Sequence, residues 1–252
     1  MYKRRTITVL VPAYNEEKRI LHVLGLLQLC DFLDEIIVIN DGSTDQTLNL
    51  INKLDFIKII NLKKNHGKGF AIATGIKKAK NEIILFIDAD LLNLKVLHIE
   101  KFVKSLVNNK YQASIGYPIF YSIDHLLKPI SGERAYFKKD LMPHLKEIKK
   151  KGYGLELYLN YIFKNKRTKI FPLNGVRNIL KHNKQSLDIA AKLFLIEFLD
   201  IFGEISRQKN PFLYLSKSYL ESFYFNKSNN EKKLNINKFF KDIKKYFLKI
   251  IE

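Results

Sequence analysis

The stretch ILFIDADL, residues 84–91, decides how this chain is read. An unbroken apolar run ends on Asp88 and Asp90, with only Ala89 between them. A buried strand has no reason of its own to finish on like charges that resist desolvation and repel each other. At i, i+2 spacing, where a strand ends and the chain turns, both carboxylates can approach one hard divalent cation. Mg²⁺ or Mn²⁺ suits such oxygen ligands and also grips diphosphate oxygens. An Asp-x-Asp pair also arises by chance and in surface turns, so its meaning depends on the segments around it.

Those segments alternate between strand and helix over the first 118 residues. TITVLVPA (6–13), EIIVIN (35–40), IKIINL (57–62) and ILFID (84–88) are apolar and β-branched. Helical patterns separate them: ILHVLGLLQL, TLNLINKL and FAIATGIKKAK. Asn15 is placed to cap the first helix, with Glu16 and Glu17 in its first turn. Ser43 and Gln46 have capping-box spacing for the second. Uniformly apolar strands joined by helices predict a mostly parallel sheet covered on both faces, an α/β fold. In such sheets ligands bind beyond the carboxyl ends of the strands, where every unusual polar group of this half falls.

The rhythm changes from about residue 119. SGERAYFKKDL (131–141) reads as a loop entering a helix, and a basic stretch leads to GYGLELYLNYIF (152–163). TKIFPL (168–173) has the composition of a further strand. Beyond Lys184 the pattern is helical. The division expected is residues 1–184 as the main domain, with halves 1–118 and 119–184, and 185–252 as a helical, basic extension. In the last segment, 234–252, Phe and Ile positions such as Phe239, Phe240, Ile243 and Phe247 share one helical face, while Lys crowds the other. That face suits an anionic membrane surface, and packing against the domain is the rival reading.

Composition narrows the partners. The formal charge of +19 on 252 residues favours something anionic, although a Lys-rich proteome would inflate it too. The only cysteine is Cys30, so no internal disulfide is possible, which fits a reducing cytoplasm. The N-terminal apolar run is shorter than a signal-peptide core, and no run reaches the length of a membrane span. The expectation is a cytoplasmic protein, or one peripheral at the cytoplasmic face of a membrane. No nucleic-acid reading motif is present.

Each strand end has its own chemistry. In VPAYNEE, Pro12 and Ala13 expose backbone groups, and Glu16 can accept from a ribose hydroxyl or simply favour a helix start. In NDGSTDQT, Asp41 can read a base edge or form an ordinary Asp-Gly turn. In NHGKG, two glycines let backbone approach a phosphate, and Lys68 brings charge to a helix N-terminus.

Taken in order, VPAYNEE, VINDGSTDQT, NHGKGFAIATG and FIDADL resemble the family 2 glycosyltransferases and their relatives with the GT-A fold. The resemblance implies a Rossmann-like central sheet flanked by helices. It implies that Pro12, Ala13, Tyr14, Glu16, Asp41 and Lys68 surround the nucleotide of a nucleotide-sugar. Asp88 and Asp90 would be the metal-binding Asp-x-Asp motif under its diphosphate, with Mg²⁺ or Mn²⁺ as cofactor. Asn40 stands where many relatives carry Asp. SGERA and GYGLE look like acceptor-side motifs of glucosyl-3-phosphoglycerate synthases and related sugar transferases. That likeness places Gly132, Glu133 and Tyr153 at the sugar pocket and Glu156 near the acceptor hydroxyl. His182 is the expected further metal ligand, with Asn178 nearer the expected spot.

The function implied is metal-assisted transfer of a hexose from a UDP- or GDP-sugar to a lipid, polyprenyl-phosphate or small phosphorylated acceptor, with Asp90 and Glu156 as catalytic residues. One rival is a nucleotidyltransferase, whose Gly-rich, basic N-terminal loop is missing. The other is a non-catalytic basic membrane-binding protein with a degenerate transferase domain, which the intact Asp88, Asp90 and Glu156 disfavour.

Overall fold

The computed structural model describes residues 5–178 apart from 109, 120–130 and 153. The helical extension, the amphipathic segment 234–252, His182 and Tyr153 therefore lie outside the described residues, as does the boundary expected at residue 184.

In chain order the elements begin with β1 (Ile7–Ala13), α1 (Ile20–Gln28), β2 (Glu35–Asp41), α2 (Thr47–Ile51), β3 (Lys58–Leu62), α3 (Lys68–Lys78) and β4 (Ile83–Phe86). They continue with β5 (Leu91–Leu92), α4 (Val96–Val107), β6 (Ala113–Ile119), β7 (Arg134–Phe137), α5 (Lys138–Leu141) and α6 (Leu145–Ile148). Last come α7 (Leu155–Ile162), β8 (Thr168–Asn174) and β9 (Arg177–Asn178). Seven strands form one sheet in the order β3-β2-β1-β4-β7-β6-β8. All neighbours pair in parallel except β7, which is antiparallel to both β4 and β6. A second, two-stranded sheet joins β5 to β9.

Alternation along β1 divides the core. Val9 and Val11 face α1 and α4, packing with Leu24, Leu27, Phe102 and Leu106. Leu10 faces the opposite layer with Ile37, Ile39, Phe86 and the α3 residues Ile72 and Ile76. Both faces are dry, which is why these strands carry no polar alternation.

Three local expectations are corrected. The helix expected from Asn15 begins at Ile20, and Asn15 instead has φ 55° and accepts from the Thr44 backbone N–H at 2.8 Å. The Ser43–Gln46 capping box does not form: Gln46 makes no side-chain cap, while Ser43 Oγ accepts from the Asn15 N–H at 3.0 Å. In both cases a bond between the β1–α1 and β2–α2 loops outcompetes a cap within one loop. Glu16 N–H to Thr47 Oγ1 at 2.8 Å and Gln46 N–H to the Glu17 carboxylate at 3.0 Å complete that staple. Finally, the loop expected to run from residue 131 into a helix contains β7. Its residues are fully buried, and the sheet register supplies the partners that sequence alone did not.

Candidate active site

Strand order determines where the polar groups meet. The chain runs outward from β1 through β2 to β3, then returns to place β4 on the other side of β1. That reversal is a topological switch point, where the ends of neighbouring strands leave a crevice. The β1–α1 loop and the residues after β4 line it. Because β7 is antiparallel, its amino end lies at the same edge: Arg134 pairs with Phe86. Ser131, Gly132 and Glu133 therefore arrive beside Asp88.

At the centre is Lys68, the first residue of α3. Its Nζ lies 2.8 Å from Asp88 Oδ1 and 3.1 Å from Oδ2. It also lies 3.0 Å from Glu156 Oε1 in the first turn of α7. Burial alone would lower the lysine pKa, but Asp88 and Glu156 outweigh it and hold the ammonium charged well above its ordinary range. Gly132 closes the group: a Cβ there would stand 2.4 Å from Asp88 Oδ2 and 2.7 Å from Lys68 Nζ. Side-chain ends from two separate segments, Asp88 after β4 and Lys68 on α3, thus leave room for hydrogen only.

Asp90 lies deeper in charge terms. Burial, then the nearby charges of Asp88 and Glu16, push its carboxyl up to about 7. Glu16 is pushed up to about 6, chiefly by burial and despite an ion pair with the buried Arg19. Three carboxylates face Lys68 and Arg19, both already paired. This donor set of hard oxygens with surplus negative charge fits a divalent cation, and Asp90 is the carboxylate no described hydrogen bond or ion pair engages. No cluster of three or more ligating His, Cys, Asp or Glu side chains occurs among the described residues, so a complete cage is not formed from them. The β5–β9 pairing sets Asn178 opposite Leu91, the residue after Asp90, and so brings the segment expected to hold a further ligand alongside the pair.

Other expected residues are distributed around this centre. Asp41 spends both oxygens on the β3–α3 loop, accepting from His66 N–H at 2.9 Å and Gly67 N–H at 2.8 Å. Those bonds fix the loop that leads into α3, and Asp41 itself is buried. Asn40 donates its side-chain amide to Asn61 Oδ1 at 2.8 Å, a bond an ionised carboxylate could not make. Pro12 and Ala13 close β1 at its paired end, and Tyr14 is exposed just beyond it.

Several contributors escaped sequence reasoning. Arg134 is fully buried, donating to Ser131 O at 2.5 Å, Tyr136 Oη at 3.2 Å and Asn160 Oδ1 at 2.7 Å. It ties the 131–133 turn to the helix that carries Glu156. Its one sequence signal was a cation inside an apolar tetrad, Arg134 to Phe137. Ser131 Oγ lies 2.5 Å from the Gly116 carbonyl and 2.7 Å from Glu133 Oε2.

Known proteins place this arrangement in a class. The profile of glycosyl transferase family 2 matches residues 8–175, and the chain belongs to that family. Among solved structures, glucosyl-3-phosphoglycerate synthase from Mycobacterium tuberculosis, in complex with Mn²⁺, UDP and phosphoglyceric acid, superposes with a TM-score of 0.66 at 24% identity. The match covers 82% of this chain and 80% of that one, and the fold is of the GT-A type.

More particular likeness comes from curated sequences. Dolichyl-phosphate beta-glucosyltransferase of Homo sapiens is 37% identical over 158 residues, 55% of this chain and 47% of that protein. The mouse protein of the same name is 35% identical over 153 residues, with the same shares covered. The chain thus spans about half the length of these relatives. No helix among the described residues is long and apolar enough to cross a membrane.

Proposed function

We propose that this chain transfers a hexose from a nucleotide-diphosphate sugar to a phosphorylated acceptor, with a polyprenyl-phosphate lipid as the first candidate. The observation that carries the proposal is the ion-paired set Asp88–Lys68–Glu156, closed over by Gly132. It joins the donor-side loops to the acceptor-side helix at one point.

The nucleotide lies along the β1–α1 and β2–α2 loops, with Tyr14, Glu16 and Asp41 as its neighbours and Pro12 and Ala13 exposing backbone to it. Asp90, with Asp88 beside it, would hold Mg²⁺ or Mn²⁺, whose Lewis acidity neutralises the leaving diphosphate. Lys68 stands at an α3 N-terminus where backbone N–H groups favour phosphate. Glu156, ion-paired with Lys68, takes the acceptor proton if the reaction inverts and orients the acceptor if it retains. Gly132, Glu133 and Tyr153 are assigned to the sugar pocket, and His182 or Asn178 to the remaining metal ligand. The named acceptor of the curated relatives, a lipid phosphate, and that of the solved neighbour, phosphoglyceric acid, support an anionic acceptor. Both also agree with the basic character of the chain. Docking of segment 234–252 on an anionic membrane at its cytoplasmic face belongs to this proposal.

The test is radiolabelled transfer. UDP-glucose and GDP-mannose with Mn²⁺ are offered a polyprenyl phosphate in one arm and 3-phosphoglycerate in the other. Label in the organic phase is the expected result, and the product anomer then separates inversion from retention. No transfer in either arm, with pyrophosphate released from a nucleoside triphosphate and a sugar phosphate instead, overturns it.

A further inference from the structure

With Glu133 charged, two acceptors would compete for the one hydroxyl hydrogen of Ser131. The Gly116 carbonyl, 2.5 Å from Ser131 Oγ, can only accept, so the single hydroxyl hydrogen of Ser131 is spent there. Glu133 Oε2 nevertheless stands 2.7 Å from the same Oγ, a distance that requires a hydrogen between the two oxygens. The remaining source is Glu133 itself. A chain results in which the Glu133 hydroxyl donates to Ser131 and Ser131 donates to Gly116.

The surroundings agree. Glu133 is 1% exposed, and its other oxygen, Oε1, is buried without a hydrogen-bond partner. A buried carboxylate with a bare oxygen would be costly, whereas a neutral carbonyl oxygen costs far less. The facing charge of Lys68 favours the ionised form and offsets this only in part, because Lys68 is already shared by Asp88 and Glu156. No hydrogen bond or ion pair joins Glu133 to Asp88 or Asp90. Burial first, then the field of Asp88, push its carboxyl up to about 8.

Position gives this neutral acid a use. Glu133 follows Gly132, where an added Cβ would stand 2.4 Å from Asp88 Oδ2 and 2.7 Å from Lys68 Nζ, so its backbone borders the crevice assigned to the donor sugar. We propose that Glu133 works as an uncharged carboxylic acid, its Oε2–H locked to Ser131 and its dry Oε1 kept as an acceptor for a hydroxyl of the transferred sugar. This rests on the transferase reading of the site. The sugar hydroxyl would satisfy the one orphaned buried side-chain oxygen among the described residues, so a donor lacking that hydroxyl is rejected by the desolvated acceptor it leaves unpaired. A charged Glu133 would instead add a third anion to the Lys68 cluster.

Two measurements address the charge without any substrate. Infrared difference spectra of wild type against E133Q should show a protonated-carboxyl C=O band near neutral pH that disappears as the wild type is taken above about pH 8. Absence of that band overturns the proposal. Stability gives the second readout. The folded pKa is raised, so Glu133's contribution is fully present below the ordinary carboxylate range and is lost as pH rises through 8. Between about pH 6 and about pH 9, wild type should therefore lose more melting temperature than E133Q, and equal losses count against the idea.

Sugar recognition is tested by calorimetry with Mn²⁺. E133L should weaken UDP-glucose about tenfold relative to UDP, and an unchanged ratio overturns the acceptor role. In transfer assays at about pH 9, E133Q should exceed wild type by about tenfold, because only about a tenth of wild-type Glu133 is then protonated. An E133Q that is slower than wild type at every pH refutes the neutral acid. If neither UDP nor UDP-glucose binds the wild type, the transferase reading falls, while the infrared band still decides the charge of Glu133.

Discussion

Residues 7–92 and residues 113–178 bring polar groups to one edge of the same sheet by opposite routes. In the first region the strands are parallel, and chemistry follows each one: Ala13, Asp41 and Asp88 all lie at or just past carboxyl ends. In the second, Gly132 and Glu133 precede an antiparallel strand, and Glu156 opens a helix. One reversed strand changes which of its ends faces the crevice. The rule that ligands bind past strand ends holds for the first region and would mislocate the second. Their packing differs as well. The β1–α1 and β2–α2 loops are stapled to one another by backbone-to-side-chain bonds, whereas the 131–133 turn is held by buried side chains, Arg134 and Ser131.

This contrast can be broken in a graded way. The largest effect is expected at Asp90: Asp90→Ala should reduce transfer at least about 10³-fold while melting within a few degrees of wild type. Turnover that survives would move the chemistry out of the donor region. Next is Lys68→Met, which leaves Asp88 and Glu156 facing each other and unlinks the two regions. A fall of about 10²-fold in kcat/KM is expected, and a change confined to KM would mean that Lys68 merely binds.

Two glycines sharpen the comparison because they are tight for different reasons. A Cβ on Gly69 would meet backbone oxygens, Lys151 O at 2.0 Å and Ile148 O at 2.4 Å, so α3 and α6 must separate. Gly69→Ala should cost about 2 kcal/mol in denaturant unfolding. At Gly132 the obstructing atoms are the movable ends of Asp88 and Lys68. Gly132→Ala should therefore lower transfer about tenfold with little loss of stability, through a displaced ion pair. Exchanged outcomes would mean that the 131–133 turn carries the fold and α3 the chemistry. The smallest effect is expected at Ser43. Removing its acceptor with Ser43→Ala should cost about 1 kcal/mol and leave transfer within about twofold, which is read from a melting curve and an assay.

How much was legible follows from what each signal depends on. The four parallel strands were readable within a residue or two: β1, β2 and β4 because burial on both faces demands an apolar run whatever lies next to it, and the more exposed edge strand β3 for its pair of isoleucines. β8 was readable for its β-branched and aromatic run. β7 was missed because its residues, Arg-Ala-Tyr-Phe, are a strand only by virtue of lying between β4 and β6. The caps at Asn15 and Ser43 were misjudged for a related reason: their partners are some 28 or 29 residues distant in the chain. Lys68 was identified as a charge near phosphate, but its two carboxylate partners were not connected to it.

By itself the sequence determined the alternation of apolar strands and helices, the carboxylates at strand ends, and the ordered motifs that mark the family. All of these are local, since hydrophobic burial and turn chemistry act on neighbouring residues. Only the tertiary structure decided that Asp88, Lys68, Gly132 and Glu156 occupy one spot, and that Glu133 meets Ser131 where a single hydrogen is already committed. Ion pairs and hydrogen bonds form across space at fixed distances. Those distances exist only once strand order and the direction of β7 are set.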